Sequence, residues 1–466
     1  MKKLNFLNEY YQNRSLDQNI SYLLNMYLEE DKSNGKYPVV AYPTPGKTTF
    51  NTGTGSVVRC MFEHNGVAYA VVDTVLYSYS SSGTRTSKGT LNTSTGRVLY
   101  AAISNQIMLV DSGDGYIYNT DTSSFSAISD ADFPSTPYAL TAQDSTFLVS
   151  SSGTAVVYGS DVADGTSWSA LSFNTKETQG DDVVALMASK GLIYVLGEYE
   201  SDVWYNSGAA TFSFEPVGLG AKFNYGCAAR FSVAKGRDTI VYLGQSRTGG
   251  KEVVMMDQYT PKVISSRAIT YQINQLTTWS DAFAYCYNKS GHEFYVLTFP
   301  TDAKTFMFDF STGLWSELNS YISAAYTREI SNCYCYCYNK HLIGAYNSAY
   351  IYSLDDTVYQ ENGVNIKKQI ICPPGYADGT KIYIPKLQID VQTNVGSSLS
   401  CTVDVSKDTG QTYPLSFTGT IPSTGGRMFF SRLGMTQNAF VIRMTSTSNS
   451  KFVVLGALAD IEIGAH

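Results

Sequence analysis

Four groups of residues have types and spacings that chemistry could use. Ser406, Asp408, Gly410, Thr412 and Tyr413 stand in the order Ser-x-Asp-x-Gly-x-Thr-aromatic, the Asp box. The carboxylate there accepts backbone N–H groups inside a tight turn, glycine relieves the φ constraint, and the aromatic ring anchors the next strand, so the box is a hairpin device without catalysis. Asp164 to Trp168 is an imperfect second copy. Cys333, Cys335 and Cys337 alternate with Tyr334, Tyr336 and Tyr338, which puts three sulfurs on one face of a strand and three phenols on the other. With His341 nearby zinc is conceivable. Zinc motifs, however, usually leave two or more residues between cysteines so that a turn wraps the ion, and the reading here is a buried face of small residues. Asp111, Asp114 and Asp121 lie in a Gly-rich stretch that lacks the closing Glu of a calcium loop, so a turn is expected, with calcium as the alternative. His64, His292, His341 and His466 are each isolated, and no Gly-x-Ser-x-Gly, Walker A or His-Glu-x-x-His sequence accompanies them. No catalytic, metal or cofactor residue is therefore assigned.

The elements that must hold these groups repeat. Seven times the chain places two large apolar residues one position apart and follows them with a polar turn; the triplets end at Tyr79, Tyr118, Tyr158, Tyr205, Met256, Phe310 and Tyr352. Residues two apart share one side of a strand, and the turn behind them starts a hairpin. An earlier strand-like run precedes most triplets, as at 67–72, 106–110, 146–149, 192–196, 239–243 and 293–297. A unit of about 40 to 50 residues with several strands is the period of a β-propeller blade, and blades bury their faces only by stacking around an axis. The fold class is all-β, with six or seven blades.

Composition narrows the partners. Only 16% of the 466 residues are charged, while Tyr occurs 36 times and Phe 22 times. Tyr carries a large ring with a polar tip, which suits half-buried sheet faces and interfaces, so an assembly subunit is expected over a free enzyme. A net charge of -7 without Lys/Arg runs argues against a nucleic-acid-binding surface, yet it lets DNA pass without sticking. No apolar run approaches a membrane span, and the start does not read as a signal peptide; a soluble protein made in a cytoplasm is expected. The eight cysteines read as free buried thiols.

Three regions are expected. Residues 1–55 form an N-terminal arm, in which Ser15, Leu16, Ile20, Leu23, Leu24, Tyr27 and Leu28 have roughly helical spacing, although an extended arm fits equally. Residues 56–371 form the β-propeller. Residues 372–466, after Cys372-Pro373-Pro374-Gly375, carry six short strand patterns at 381–393, 400–406, 413–418, 427–432, 439–445 and 451–463, which fit a small C-terminal β-sandwich.

The order of parts resembles one family. Asn25-Met26-Tyr27-Leu28-Glu29, then Pro43-Thr44-Pro45-Gly46, then a first repeat running from Arg59-Cys60 to Asn65-Gly66-Val67-Ala68-Tyr69, then a closing sandwich, are similar to the packaged-DNA stabilisation proteins, or tail hub (nozzle) proteins, of short-tailed bacteriophages. The chain departs from that pattern in its richness in Tyr and Ser and in an irregular turn at 257–261. The resemblance implies a homo-oligomeric ring, commonly a hexamer, beneath the portal and its adaptor ring, carrying the tail needle or tip and adjoining tailspikes or fibres. Its task would be to retain packaged DNA and form part of the ejection channel of the virion. Tyr27, Tyr37, Tyr42, Pro43 and Pro45 are the expected subunit or partner contacts. Two rivals remain at this level. A carbohydrate-active propeller, glycoside hydrolase or lectin, needs paired carboxylates and aromatic platforms at the mouth; a scaffold propeller of the WD or kelch kind needs its own repeat signature, of which only 308–318 has a trace.

Overall fold

The computed structural model describes every residue except 16, 32, 34, 177–180, 219–220, 377–379, 393–398, 422–425, 438 and 465–466. Leu16, Thr393 and His466 thus lie outside the described residues.

The first blade is an antiparallel meander of Val58–His64, Val67–Val72, Val75–Tyr79 and Arg85–Thr90. Six further meanders follow, with inner strands Leu99–Ile103, Pro137–Gln143, Val183–Ser189, Ala234–Gly236, Phe283–Lys289 and Ser331–Cys337. These inner strands pack side by side, and the seventh lies against the first, so the ring closes with seven blades. Every triplet seen in the sequence falls on a third strand, with Phe310 alone one residue past its end, and every preceding run falls on a second strand. In six blades the two residues between first and second strand both take φ > 0, as at Asn65-Gly66, Asp144-Ser145 and Tyr338-Asn339. This is the turn whose twist matches that of the strands it joins. The turn at 257–261 is itself regular, pairing Asp257 with Thr260; the irregularity of blade 5 lies in its inner strand of only three residues.

The fourth strand of blade 7 comes from the other end of the chain. Gly46–Thr52 pairs antiparallel with Tyr350–Asp355, from Gly46 opposite Asp355 to Thr52 opposite Tyr350. The arm boundary expected at residue 55 therefore falls beyond a propeller strand. Gly46 is needed at its start, because a Cβ there would meet the Val358 carbonyl oxygen at 2.3 Å, and its N–H donates to that same oxygen at 2.9 Å.

The segment before it holds strands too, and among its described residues no helix forms. Ile20–Leu24 and Met26–Glu30 are separated by Asn25 at φ 51°, and Val39–Pro43 returns along the second of them. They join the C-terminal region, where all six expected strands are present. Met26–Glu30 and Val39–Pro43 share a sheet with Lys381–Val391, Arg427–Ser431 and Val454–Gly464; Ile20–Leu24 shares one with Lys368–Ile371, Leu399–Ser406, Leu415–Ile421 and Ala439–Ser446. Residues of both sheets, among them Leu387, Phe430, Val403 and Ile442, meet in one core that also takes in Leu23, Met26 and Leu28. Ile20–Leu24 also forms a parallel bridge, Leu24 to Glu317, with the outer strand of blade 6.

Candidate functional site

The Asp box, the cysteines and the Asp111 region each have partners in the fold. In the Asp box, the Asp408 carboxylate accepts from the Thr412 amide at 2.9 Å, and from the Ser406 and Thr412 hydroxyls. These bonds, that of Ser406 first, hold its pKa down at about 2. Thr409 and Gly410 take φ 57° and 85°, and the box links Leu399–Ser406 to Leu415–Ile421 as a hairpin. Cys333, Cys335 and Cys337 are buried against Val58, Met61 and Ala70 of blade 1, and burial pushes the Cys333 thiol up to about 12. Among the described residues no cluster of three or more His, Cys, Asp or Glu could hold a metal ion.

Asp111 has no exposed surface and is met by Arg59, itself 1% exposed, at 2.6 Å. The same guanidinium donates to the carbonyls of Asp73, Thr93, Thr95 and Gly96. Arg59 thereby ties the inner strand of blade 1 to the connection into blade 2, and the carboxylate suggested for calcium is taken up by an arginine. Asp114 and Asp121 accept from Asn92 and Asn105, both at 2.9 Å.

The five expected contact residues lie against the chain itself. Tyr27 packs with Tyr42 (5.9 Å between centroids), His292 (4.9 Å) and Phe294 (5.2 Å); the Tyr37 hydroxyl donates to Asp390 at 2.7 Å; Pro43 is half-buried and Pro45 buried. They fasten the N-terminal strands to blade 6 and to the C-terminal sheets.

His292 sits where those strands meet the propeller. Its Nδ1 is 2.7 Å from Asp309, which also accepts from the Ser311 amide and the Thr312 hydroxyl, while Glu29 lies 3.7 Å from Nε2. The hydrogen bond to Asp309 raises its pKa, burial opposes, and the charges of Asp309 and Glu29 add to the rise. A raised folded-state pKa means a contribution fully present below the ordinary value of about 6.5 and lost as pH climbs through the folded value. The stability difference between the protein and a His292→Gln variant should therefore be widest near pH 6, at about 1–2 kcal/mol, and shrink toward pH 8. Parallel melting curves across that range would exclude this role.

The inner strands surround an axial cavity of about 620 Å³, lined among others by Met61, Tyr100, Met187, Tyr285 and Tyr334. That is the size of a small-molecule site. A DNA duplex, whose major groove alone is about 12 Å wide, does not fit such a space. The sequence reading missed Arg97 and Arg230, which line one end of this cavity. Both stand just ahead of an inner strand, as Arg328 does in blade 7, and an arginine recurring at that point of the repeat was the available signal.

Fold and axis together define a seven-bladed propeller latched by its own N-terminal strand, with the conspicuous polar motifs tied up in turns and ion pairs. The chain belongs to the phage stabilisation family described as bacteriophage P22 Gp10, beta-propeller, which matches residues 3–359. It is thus a phage structural protein, of a family of virion components. No curated protein matches the chain. Similar solved structures include the extracellular domain of BT4673 from B. thetaiotaomicron, at 11% identity and TM-score 0.44, over 76% of this chain and 44% of that one. The chain therefore spans less than half of that relative. The Pan2 WD40 domain of Neurospora crassa follows at 9% identity and TM-score 0.44, over 67% of this chain and 96% of that one. BamB from Moraxella catarrhalis has 11% identity and TM-score 0.39, over 75% of this chain and 97% of that one. At such scores these likenesses bear on neither partner nor activity. No described helix is long and apolar enough to cross a membrane.

Proposed function

We propose that this chain is the ring-forming hub, or nozzle, of a short phage tail, and that it is not an enzyme. Several copies, commonly six in such a ring, sit beneath the portal and its adaptor ring, carry the tail needle or tip, and adjoin the tailspikes or fibres. The ring retains packaged DNA and later forms part of the ejection channel; it assembles in the host cytoplasm. Family membership across residues 3–359 is the observation that carries this reading. The size of the axial cavity adds a condition: the conduit runs between subunits, through the middle of the ring, and not along any propeller axis. A net charge of -7 suits a wall along which phosphates slide. Tyr27, Tyr37, Tyr42 and Pro43 keep part of their surface and stay among the candidate contacts, joined by exposed apolar side chains led by Val162 and Leu171 of blade 3 at 71% and 70% exposure.

The test is the mass of the purified chain in solution, alone and mixed with adaptor rings. A closed oligomer, or capture by the rings, is the expected result. A strict monomer that ignores the rings overturns the proposal.

A further inference from the structure

Arg97 and Arg230 line the axial cavity, Arg328 stands behind Arg97, and none of the three has an ion-pair partner among the described residues. Arg97 stacks on Phe283 at 3.9 Å, Arg230 on Tyr138 and Phe231 at 4.3 and 4.5 Å, and Arg328 on Tyr346 at 3.8 Å. Phe231 and Phe283 are joined by a parallel bridge, and Arg97 and Arg328 both donate to Asn332 Oδ1, at 3.0 and 3.5 Å, so the groups form one cluster. Asn332 donates in turn to the Val58 carbonyl at 2.8 Å, which fixes the cluster at the first residue of the inner strand of blade 1.

None of the three has a carboxylate within ion-pair distance among the described residues. Glu329, next to Arg328 in sequence, is held by Lys47. Glu329 and, after it, Asp281 contribute a favourable field to Arg328, yet neither stands within ion-pair distance of it, and Asp281 Oδ2 accepts from the Thr301 amide and hydroxyl at 2.9 and 2.7 Å. Glu63, on the cavity wall, stands five residues along the strand from Val58, about 16 Å away at the rise of a β-strand.

Stacking covers the flat faces of the guanidiniums and leaves their edges. Each carries five N–H donors, fifteen in all, of which five are given to protein acceptors: two from Arg97, two from Arg328 and one from Arg230. Planar donor edges held in place by rings are suited to the oxygens of a phosphate. Gathering like charges out of water is costly without a counter-ion, and burial together with the neighbouring Arg328 brings the Arg97 pKa down to about 10.

We infer that this end of the axial cavity is a binding site for a small, multiply charged anion of the phosphate class, held by the free edges of Arg97 and Arg230 with Arg328 behind them. The site lies within one chain and does not depend on the ring proposed above.

Titration calorimetry of the full chain with sodium tripolyphosphate, at ionic strength matched with sodium chloride, tests it. One anion per chain is expected, with affinity falling as salt rises. Arg97→Gln and Arg230→Gln should each weaken it roughly tenfold or more. Arg247→Gln, which removes an arginine stacked on Tyr199 but partnered by Glu200, should leave it unchanged. Absence of binding beyond that of chloride, or equal weakening by all three variants, overturns the site. If Arg97→Gln does not fold, the half-buried Arg230 carries the comparison.

Discussion

A chain lacking residues 1–52 is expected to yield no soluble, folded protein, whereas removal of residues 1–3 should leave the melting temperature almost unchanged. The longer truncation takes away the outer strand of blade 7, so Tyr350–Asp355 becomes a bare edge in the one blade whose pairing joins the two ends of the ring. It also removes Ile20, Leu23, Leu24, Met26 and Leu28, each at most 4% exposed. At about 2 kcal/mol per large buried apolar side chain, those five are worth up to about 10 kcal/mol, as much as the whole stability of a typical domain. Asn25 goes with them. Its buried side chain donates to Asn319 and to the Lys367 carbonyl, each at 2.8 Å, and accepts from the Asn319 amide at 2.9 Å, so it joins blade 6 to the chain segment that enters the C-terminal sheets. Residues 1–3 contribute an exposed two-residue strand and one partly exposed terminal ion pair to Asp460, which is worth little. The check is expression, gel filtration and circular dichroism of both truncations. A longer truncation that stays soluble and melts like the intact chain would show these residues to be an arm that the propeller does not need.

The difference between the N-terminal arm expected from the sequence and the fold has a physical origin. Blades were legible because each buries two faces of a short strand against its neighbours, which imposes a period of two on residues such as Tyr116 and Tyr118. The closing strand Gly46–Thr52 is polar at most positions, and its partner lies some 300 residues away, so no local pattern reports it. Helical spacing at 20–28 arises because Ile20–Leu24 is buried on both faces and a left-handed Asn25 then reorients the next strand. Two short strands about a kink thus imitate a period near 3.6. Of the candidate motifs, the Asp box was legible as a hairpin turn, because its residue types are those that close such a turn on the Asp408 carboxylate. What stayed hidden was pairing at a distance: nothing in the spacing of Arg59 and Asp111, 52 residues apart, marks them as partners.

Lys47→Met should be the most damaging single substitution considered, at about 3–5 kcal/mol, because it leaves two buried carboxylates without their cation. Lys47 projects from the closing strand, and its Nζ lies 2.9 Å from Glu329 and in contact with Glu361. All three side chains are under 10% exposed. Glu329 precedes the inner strand of blade 7, and Glu361 follows that blade's third strand, so this one cation fastens the N-terminal strand to both sides of the closure. Burial alone would lower the lysine pKa, yet the two glutamates outweigh it and raise it; burial alone would raise Glu329, yet Lys47 and Ser331 hold it down. A depressed carboxylate contributes stability above its ordinary range near pH 4.5, lost as pH falls through the folded value. In Lys47→Met the sign reverses. Burial then pushes Glu329 up, and the deficit, full at pH 8, is recovered as it protonates on the way to pH 5. Glu361→Gln alone should cost about 1 kcal/mol or less, since it leaves a neutral Lys47–Glu329 pair, and added to Lys47→Met it should restore part of the loss. Melting temperatures of the three variants at pH 5 and pH 8 decide the matter: if Lys47→Met melts as far below the intact protein at pH 5 as at pH 8, packing and not charge holds the latch.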